Sequence, residues 1–156
     1  MTTLRPVWTD ELPLLSDLCL RSKASWGYDA EFMAACRFEL TIRPEELRTT
    51  LLRVAEGLVG PVGVAQVSVR ESQAELLKLF VDPEWQKGGI GRRLLAWAVE
   101  TARGLGADEM IIEADPGAVP FYLRMGANEA GWAPSESIPG RRLPRLVLRL
   151  PAWKSC

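Results

Sequence analysis

The most constraining stretch of this chain lies between Leu79 and Leu95. An apolar run, Leu79-Phe80-Val81, reads as the end of a strand. A short loop containing Pro83 follows, then three glycines at 88, 89 and 91, and then the strongest helical pattern in the sequence. A helix that begins among glycines presents bare backbone N–H groups, because its first turn holds no partners for them. The helix dipole adds about half a positive charge at that end. Glycines let an anion come close without a Cβ in the way. Gln86, Lys87, Arg92 and Arg93 place side-chain donors around it. The junction therefore predicts a phosphate-binding loop. The competing reading is a tight strand-to-helix turn that only needs small residues. Two common phosphate motifs do not fit: no G-x-x-x-x-G-K-S/T run is present, and glycines at 88, 89 and 91 have the wrong spacing for G-x-G-x-x-G.

The hydrophobic pattern orders the rest of the chain around this junction. Residues 3–8 predict a strand, and 11–23 a helix with Leu14, Leu15, Leu18 and Cys19 on one face. Ser25-Trp26-Gly27-Tyr28 breaks that helix. Asp29 caps a second one, which groups Phe32, Met33, Cys36 and Leu40. Pro44 opens one further turn. Residues 50–55, 62–69 and 73–81 predict three strands in an antiparallel meander, with turns at 57–61 and 70–72. Residues 89–105 form the long helix, with Ile90, Leu94, Trp97, Ala98, Thr101 and Leu105 as its apolar stripe and Gly106 as its stop. Then come a strand at 110–114, a helix at 118–125, and strands at 128–133 and 143–150. Strands and helices mixed in this order imply an α/β (α+β) fold: a single mixed, mainly antiparallel central sheet with helices on both faces. A length of 156 residues fits one domain, residues 1–156.

What the chain lacks narrows its chemistry. It has no histidine, which removes Ser-His-Asp and Cys-His nucleophile pairs and every His-ligated metal site. Its three cysteines, at 19, 36 and 156, show no C-x-x-C spacing, so neither a disulfide framework nor a bound metal is expected. Cys19 and Cys36 lie in apolar helical patterns and read as small core residues; Cys156 reads as an exposed tail thiol. A net charge of −1 provides no global field for nucleic acid or an anionic membrane. No stretch approaches the ~20 apolar residues of a membrane span, and residues 1–10 lack the apolar centre of a signal peptide. The expected location is cytoplasmic, with no nucleic-acid or membrane partner. An enzyme built from this chain must move protons through Glu, Asp, Tyr, Lys, Cys or water.

Two segments carry a family resemblance. Gln86-Lys87-Gly88-Gly89-Ile90-Gly91 resembles the Q/R-x-x-G-x-G/A signature of the GCN5-related N-acetyltransferases (GNAT), in the usual place between strand and helix. Asp115-Pro116-Gly117-Ala118-Val119-Pro120-Phe121-Tyr122-Leu123-Arg124-Met125-Gly126-Ala127 resembles the family's A/N/D-P-x-A-x-x-F-Y-x-x-x-G-F/A segment. One helix and one strand separate them, as in the family. The resemblance covers residues 62–150 well and the first fifty or so in element order only.

That resemblance implies a GNAT fold and acetyl-CoA as co-substrate. In the family the strand before the signature splays from its neighbour, and the pantetheine arm pairs in the gap like an added strand. By position, Leu79, Phe80 and Val81 supply the backbone groups here, with the N–H of Phe80 or Val81 facing the thioester oxygen. The pyrophosphate falls on the N–H groups of Lys87, Gly88, Gly89, Ile90, Gly91 and Arg92, with Gln86, Asp115 and Phe121 as further cofactor contacts. Tyr122 matches the tyrosine placed beside the CoA sulfur; a phenol of pKa about 10 can protonate a thiolate of pKa about 8.5. Its other reading is a packing residue. Glu75 matches the register of the catalytic glutamate of histone-type members. An ion-paired strand glutamate, with ordered water as base, is the other reading, and by alternation Glu75 shares a face with Leu77, Leu79 and Val81.

The family's acceptor site lies between the first two helices, which here places Trp26, Tyr28 and Phe32 as acceptor-site candidates. Core plugging explains them equally well. Four arginines, at 141, 142, 145 and 149, sit near the C-terminal end. Arg145 and Arg149 alternate with leucines as a solvated strand face does. Residues 135–145 join the last two strands and either close over the acceptor or over a second subunit in a homodimer. The expected activity is direct transfer of acetyl to a primary amine of a small molecule. A protein acetyltransferase and a catalytically silent acyl-CoA-binding domain are the alternatives.

Overall fold

The computed structural model describes residues 2–152; the Cys156 expectation lies outside them. The elements are β1 (Thr3–Arg5), α1 (Leu12–Ala24), α2 (Ala30–Leu40), α3 (Glu46–Thr49), β2 (Leu51–Glu56), β3 (Pro61–Arg70), β4 (Gln73–Val81), α4 (Ile90–Gly104), β5 (Glu109–Glu113), α5 (Val119–Arg124), β6 (Asn128–Pro134) and β7 (Arg142–Arg149). All seven strands join one sheet in the order β1-β2-β3-β4-β5-β7-β6. β4 and β5 pair in parallel, and the other neighbours are antiparallel. No helix among the described residues is long and apolar enough to cross a membrane.

Neighbouring residues on each strand serve opposite faces. On β2, Val54 packs with Leu15, Leu18, Cys19 and Leu40 of α1 and α2, while Ala55 packs with Ile90 and Leu94 of α4. On the α4 face, Met110 and Ile112 of β5 and Leu146 and Leu148 of β7 meet Leu95, Ala98 and Tyr122. The expected sheet with helices on both faces is present, and Cys19 and Cys36 are core residues. The helix stripes differ in detail. Leu14 is exposed, because α1 turns Leu12, Leu15, Leu18 and Cys19 inward instead. On α4 the buried face is Ile90, Leu94, Leu95, Ala98, Val99 and Ala102. Trp97 and Thr101 sit at its margin, and Leu105 is exposed one residue past the helix. Leu94 and Leu95 are fully buried, and burial of each contributes about 2 kcal/mol.

A bulge in β4 sets up everything that follows. Gln66 of β3 lies opposite Lys78, but Val67 lies opposite Leu76. Leu77 is therefore the extra residue, left half-exposed between two paired neighbours. The insertion shifts the side-chain phase by one. Before it, Ala74 and Leu76 face α4; after it, Leu79 faces α4 while Phe80 joins the α1–α2 core. Glu75 thus shares its face with Lys78 and Phe80, not with Leu79 and Val81 as simple alternation predicts. The parallel pairing of β4 with β5 ends at Leu76 and Ile112, immediately before the bulge.

Gly63 of β3 holds the start of α4 close to the sheet. A Cβ there would lie 2.9 Å from Leu94 and 3.2 Å from Ile90, with the Phe80 carbonyl at 3.3 Å. Gly63→Ala should therefore cost about 1–3 kcal/mol through overpacking, read as a lower urea midpoint at unchanged slope. An unchanged midpoint would contradict this close packing.

Candidate functional site

Strands β4 and β5 part after Leu76, and a groove of about 750 Å³ opens where they separate. A volume of this size suits a ligand larger than a metabolite fragment. Its walls are the end of β4, the end of β5 with the following loop, the first turn of α4, and α5. Of the expected residues, Leu79, Phe80, Val81, Gln86, Gly89, Gly91, Arg92, Asp115, Phe121, Tyr122 and Trp26 line it.

The ladder decides which main-chain groups point into the groove. The Asp82 N–H donates to the Val62 carbonyl at 2.8 Å. In an antiparallel pair, hydrogen-bonded residues alternate with non-bonded ones, so Phe80, opposite Val64, turns its N–H and C=O toward β3. Leu79 and Val81 turn theirs toward the parted side. The expected Phe80 oxyanion donor is thus already spent within the sheet, while those of Leu79 and Val81 are free of β3. The Gln86 amide reaches back to the Val81 carbonyl at 3.4 Å.

At the head of α4 the geometry is that of an anion cradle. Gly89 is the residue before the helix and has φ +76°, a left-handed conformation that glycine adopts without strain. No protein atom lies within 4 Å of where its Cβ would be. The first helical bond is Arg93 N–H to Gly89 O at 3.2 Å. The N–H groups of Ile90, Gly91 and Arg92 have no partner among the described residues. The Ile90 side chain is buried beneath, against the sheet. Two side-chain expectations change here. Arg93 turns away to the Thr2 carbonyl at 2.8 Å, and Gln86 is held by β4. Lys87 and Gly88 stay exposed at the rim and do not line the groove.

Ionic contacts brace the loops on either side of this cradle. Asp82 caps the turn that leads to the glycines: it accepts from the Glu84 N–H at 3.0 Å and from Arg21 of α1 at 2.7 Å. Burial alone would raise its carboxyl pKa, but the Arg21 and Glu84 hydrogen bonds outweigh burial and hold it below the usual aspartate value. Asp115 plays the same part on the other wall. Its carboxylate accepts from the Tyr28 hydroxyl at 2.6 Å and the Gly117 N–H at 3.0 Å, with Lys23 at 3.6 Å and Arg141 at 3.9 Å. Arg141 also donates to the Tyr28 oxygen at 2.8 Å. Tyr28 stacks on Phe32 with ring centres 4.0 Å apart. Burial, followed by the Asp115 hydrogen bond, pushes the Tyr28 phenol up to about 12.

This network revises three assignments. Tyr28 and Phe32 stand behind the groove wall rather than in it, because their polar and stacking surfaces are used for bracing. Asp115 lines the groove, but its carboxylate is engaged by the protein. Of the acceptor-site candidates only Trp26 reaches the groove, half-exposed and packed so close to Gly117 that a Cβ there would strike its ring.

Tyr122 sits at the floor, buried, with Phe121 edge-on at 5.1 Å. Burial raises its phenol well above the ordinary value, and among the described residues its hydroxyl has no hydrogen-bond partner. Glu75 does not line the groove. It lies in a smaller cleft of about 190 Å³ with Glu39, Glu46, Gln66, Lys78, Glu113 and Glu136. Glu39, Lys78 and Glu113 line both spaces. The sequence reading missed Glu113 and Glu39. Strand alternation on residues 110–114 was the signal available for Glu113; Glu39, on a helix far away in sequence, offered none.

The acetyltransferase (GNAT) family model matches residues 12–127, and the chain belongs to that family. Human N-acetyltransferase 8 is 32% identical over 78 residues, an alignment that covers 48% of this chain and 34% of that protein. The chain thus spans about a third of that relative's length. A GCN5-related N-acetyltransferase from Rhodopseudomonas palustris superposes with a TM-score of 0.79 at 18% identity, covering 96% of each chain. The PaiA N-acetyltransferase from Thermoplasma acidophilum, solved with coenzyme A, gives 0.73 at 17% identity, covering 96% of this chain and 99% of that one. At these identities the structural likeness establishes the fold.

The Arg21–Asp82 pair makes a testable contribution to pH stability. A carboxyl whose native pKa is depressed stabilises the fold above its unfolded value and loses that contribution as pH falls through the native one. Wild-type stability should decline below pH about 4. Arg21→Ala should be less stable at neutral pH and show a shallower acid decline. Parallel stability curves in urea melts between pH 3 and 7 would contradict the pairing.

Proposed function

We propose that the groove binds acetyl-CoA and that the chain transfers the acetyl group directly to a primary amine, with residues 1–156 acting as one catalytic domain. The observation that carries this is the convergence of unpaired amides from two elements on one groove: Leu79 and Val81 from the parted strand, and Ile90, Gly91 and Arg92 from the head of α4. A diphosphate belongs at the helix start, where the dipole and open N–H groups favour it. An extended amide-bearing arm belongs along β4, where Leu79 and Val81 pair with it as a strand would. The same two amides are placed to donate to a thioester oxygen as it gains charge.

Direct transfer is supported by the groove lining, which among the described residues holds no cysteine or histidine. The chain has no histidine, and Cys19 and Cys36 are buried away from the groove. Burial pushes the Cys19 thiol up to about 12, so no thiolate forms there at neutral pH. Tyr122 is the acid that returns a proton to the departing sulfur. Burial keeps it protonated, and the same dry surroundings raise the basicity of a thiolate released beside it.

A small acceptor fits better than a folded protein. The loop between β6 and β7 ties down on α2, where the Ser137 hydroxyl donates to Glu39, and Arg141 fastens its other end to Tyr28 and Asp115. That strap borders the smaller cleft that adjoins the groove, where Glu136 and Leu143 form part of the lining, and so narrows the room for a large acceptor.

Gly91→Glu tests the cradle without strain. A Cβ at Gly91 makes only ordinary contacts, 3.6 Å to Phe121, and Glu is a better helix former than Gly by several tenths of a kcal/mol. The variant should keep or raise its melting temperature yet lose the stabilisation that acetyl-CoA gives the wild type. It should also lose amine-dependent release of free thiol from acetyl-CoA. Wild-type affinity in Gly91→Glu would place the phosphates elsewhere.

A further inference from the structure

We propose that Glu113, rather than Glu75, is the base that takes the proton from the acceptor's ammonium group. This deepens the acyl-transfer reading above and rests on it. Glu113 is the last residue of β5 and stands one position beyond Ile112, the last residue paired with β4. It therefore sits where the two strands part. Met110 and Ile112 pack on the α4 side, so alternation turns Glu113 to the opposite face, toward α1 and α2. Tyr122 lies in the α4-side core. The acid and the base thus stand on opposite sides of the gap through which the thioester runs.

Position separates the two glutamates. Glu113 lines both the groove and the smaller cleft, whereas Glu75 lines the cleft alone. Glu75 lies opposite Ile111 of β5, deeper in the paired part of the sheet. Among the described residues no basic group lies within ion-pair distance of Glu113. The groups facing it are Glu75 from β4, Glu136 from the β6–β7 loop, Arg145 from β7 and Glu39 from α2, with Lys78 of β4 in the shared wall. Glu113 keeps an exposed edge; its partial desolvation raises its carboxyl pKa, and the charges of Glu75, Glu136 and Glu39 raise it further against the opposing pull of Arg145. A carboxylate raised in this way is a stronger base than an ordinary one. The surrounding negative charge also draws in the ammonium form, which is the form that must be deprotonated.

The step balances without any further reagent. The ammonium gives one proton to the Glu113 carboxylate, and its nitrogen lone pair attacks the thioester carbonyl carbon. A C–N bond forms, the C–S bond breaks, and the nitrogen, which still carries one proton more than the product amide, gives that proton to water. The sulfur leaves with the bonding pair and takes a proton from Tyr122. Glu113 releases its proton to water, and Tyr122 is reprotonated from water.

The test follows free-thiol release from acetyl-CoA with 2-phenylethylamine, spermidine and an alanine-terminated peptide as amines, from pH 4 to 9. Acetyl-CoA affinity is measured alongside. Glu113→Gln should keep wild-type acetyl-CoA affinity, lower kcat by about 100-fold or more, and lose the acid limb of the kcat profile. Glu75→Gln should retain that limb but move it to lower pH, because one like charge is gone. A Glu113→Gln enzyme with wild-type kcat and an intact limb overturns the assignment. If Glu113→Gln does not fold, an unmoved limb in Glu75→Gln overturns it instead. A wild-type protein that fails to bind acetyl-CoA, or binds it and releases no thiol with any of the three amines, overturns the functional reading beneath it.

Discussion

The parting of β4 from β5 governs the whole site. A parallel pair normally satisfies both strands to their ends, and unpaired main-chain groups are costly wherever water is excluded. Here the pairing stops at Leu76 and Ile112, one residue before the Leu77 bulge. Beyond that point β4 keeps β3 on one side and, among the described residues, pairs with no strand on the other. The bulge also fixes which residues look into the gap, leaving Phe80 bonded within the sheet and Leu79 and Val81 free. A slip of one residue would reverse that choice.

The rest of the molecule holds this opening at a fixed width. Gly63 lets Ile90 and Leu94 settle on β3, which brings the first turn of α4 to the end of the parted strand. Asp82 and Arg21 fasten the intervening turn to α1. Across the groove, Asp115 gathers Lys23 and Tyr28, near neighbours in sequence, and Arg141 from the distant β6–β7 loop. The Arg21–Asp82 and Tyr28–Asp115 contacts are charge-assisted hydrogen bonds, stronger than neutral ones, while Lys23 and Arg141 add longer ionic contacts. Together they let the unpaired amides persist as a preorganised surface, the kind of surface that can stabilise charge developing in an acyl transfer.

How much of this the sequence disclosed follows from how local each feature is. The glycine junction was legible because its signals lie within about a dozen residues. The helix that carries Tyr122 was legible for the same reason. The bulge was not, because it depends on the register between Gln66 and Lys78 and leaves no composition mark at Leu77. That omission put Glu75 on the wrong face and left the Phe80 amide as an oxyanion donor. The Asp115 brace was equally hidden: Tyr28, Asp115 and Arg141 meet only after the sheet has formed. Helix periodicity misplaced Leu14 and Leu105, since a single stripe does not record where a helix ends or how it turns on the sheet.

Amide hydrogen exchange read residue by residue, with and without coenzyme A, tests the central claim most directly. The account predicts new protection at Leu79 and Val81 and at Ile90, Gly91 and Arg92, with Phe80 protected in both states because β3 already holds it. Coenzyme A that binds while leaving Leu79 and Val81 unprotected, or that changes Phe80 instead, would contradict it.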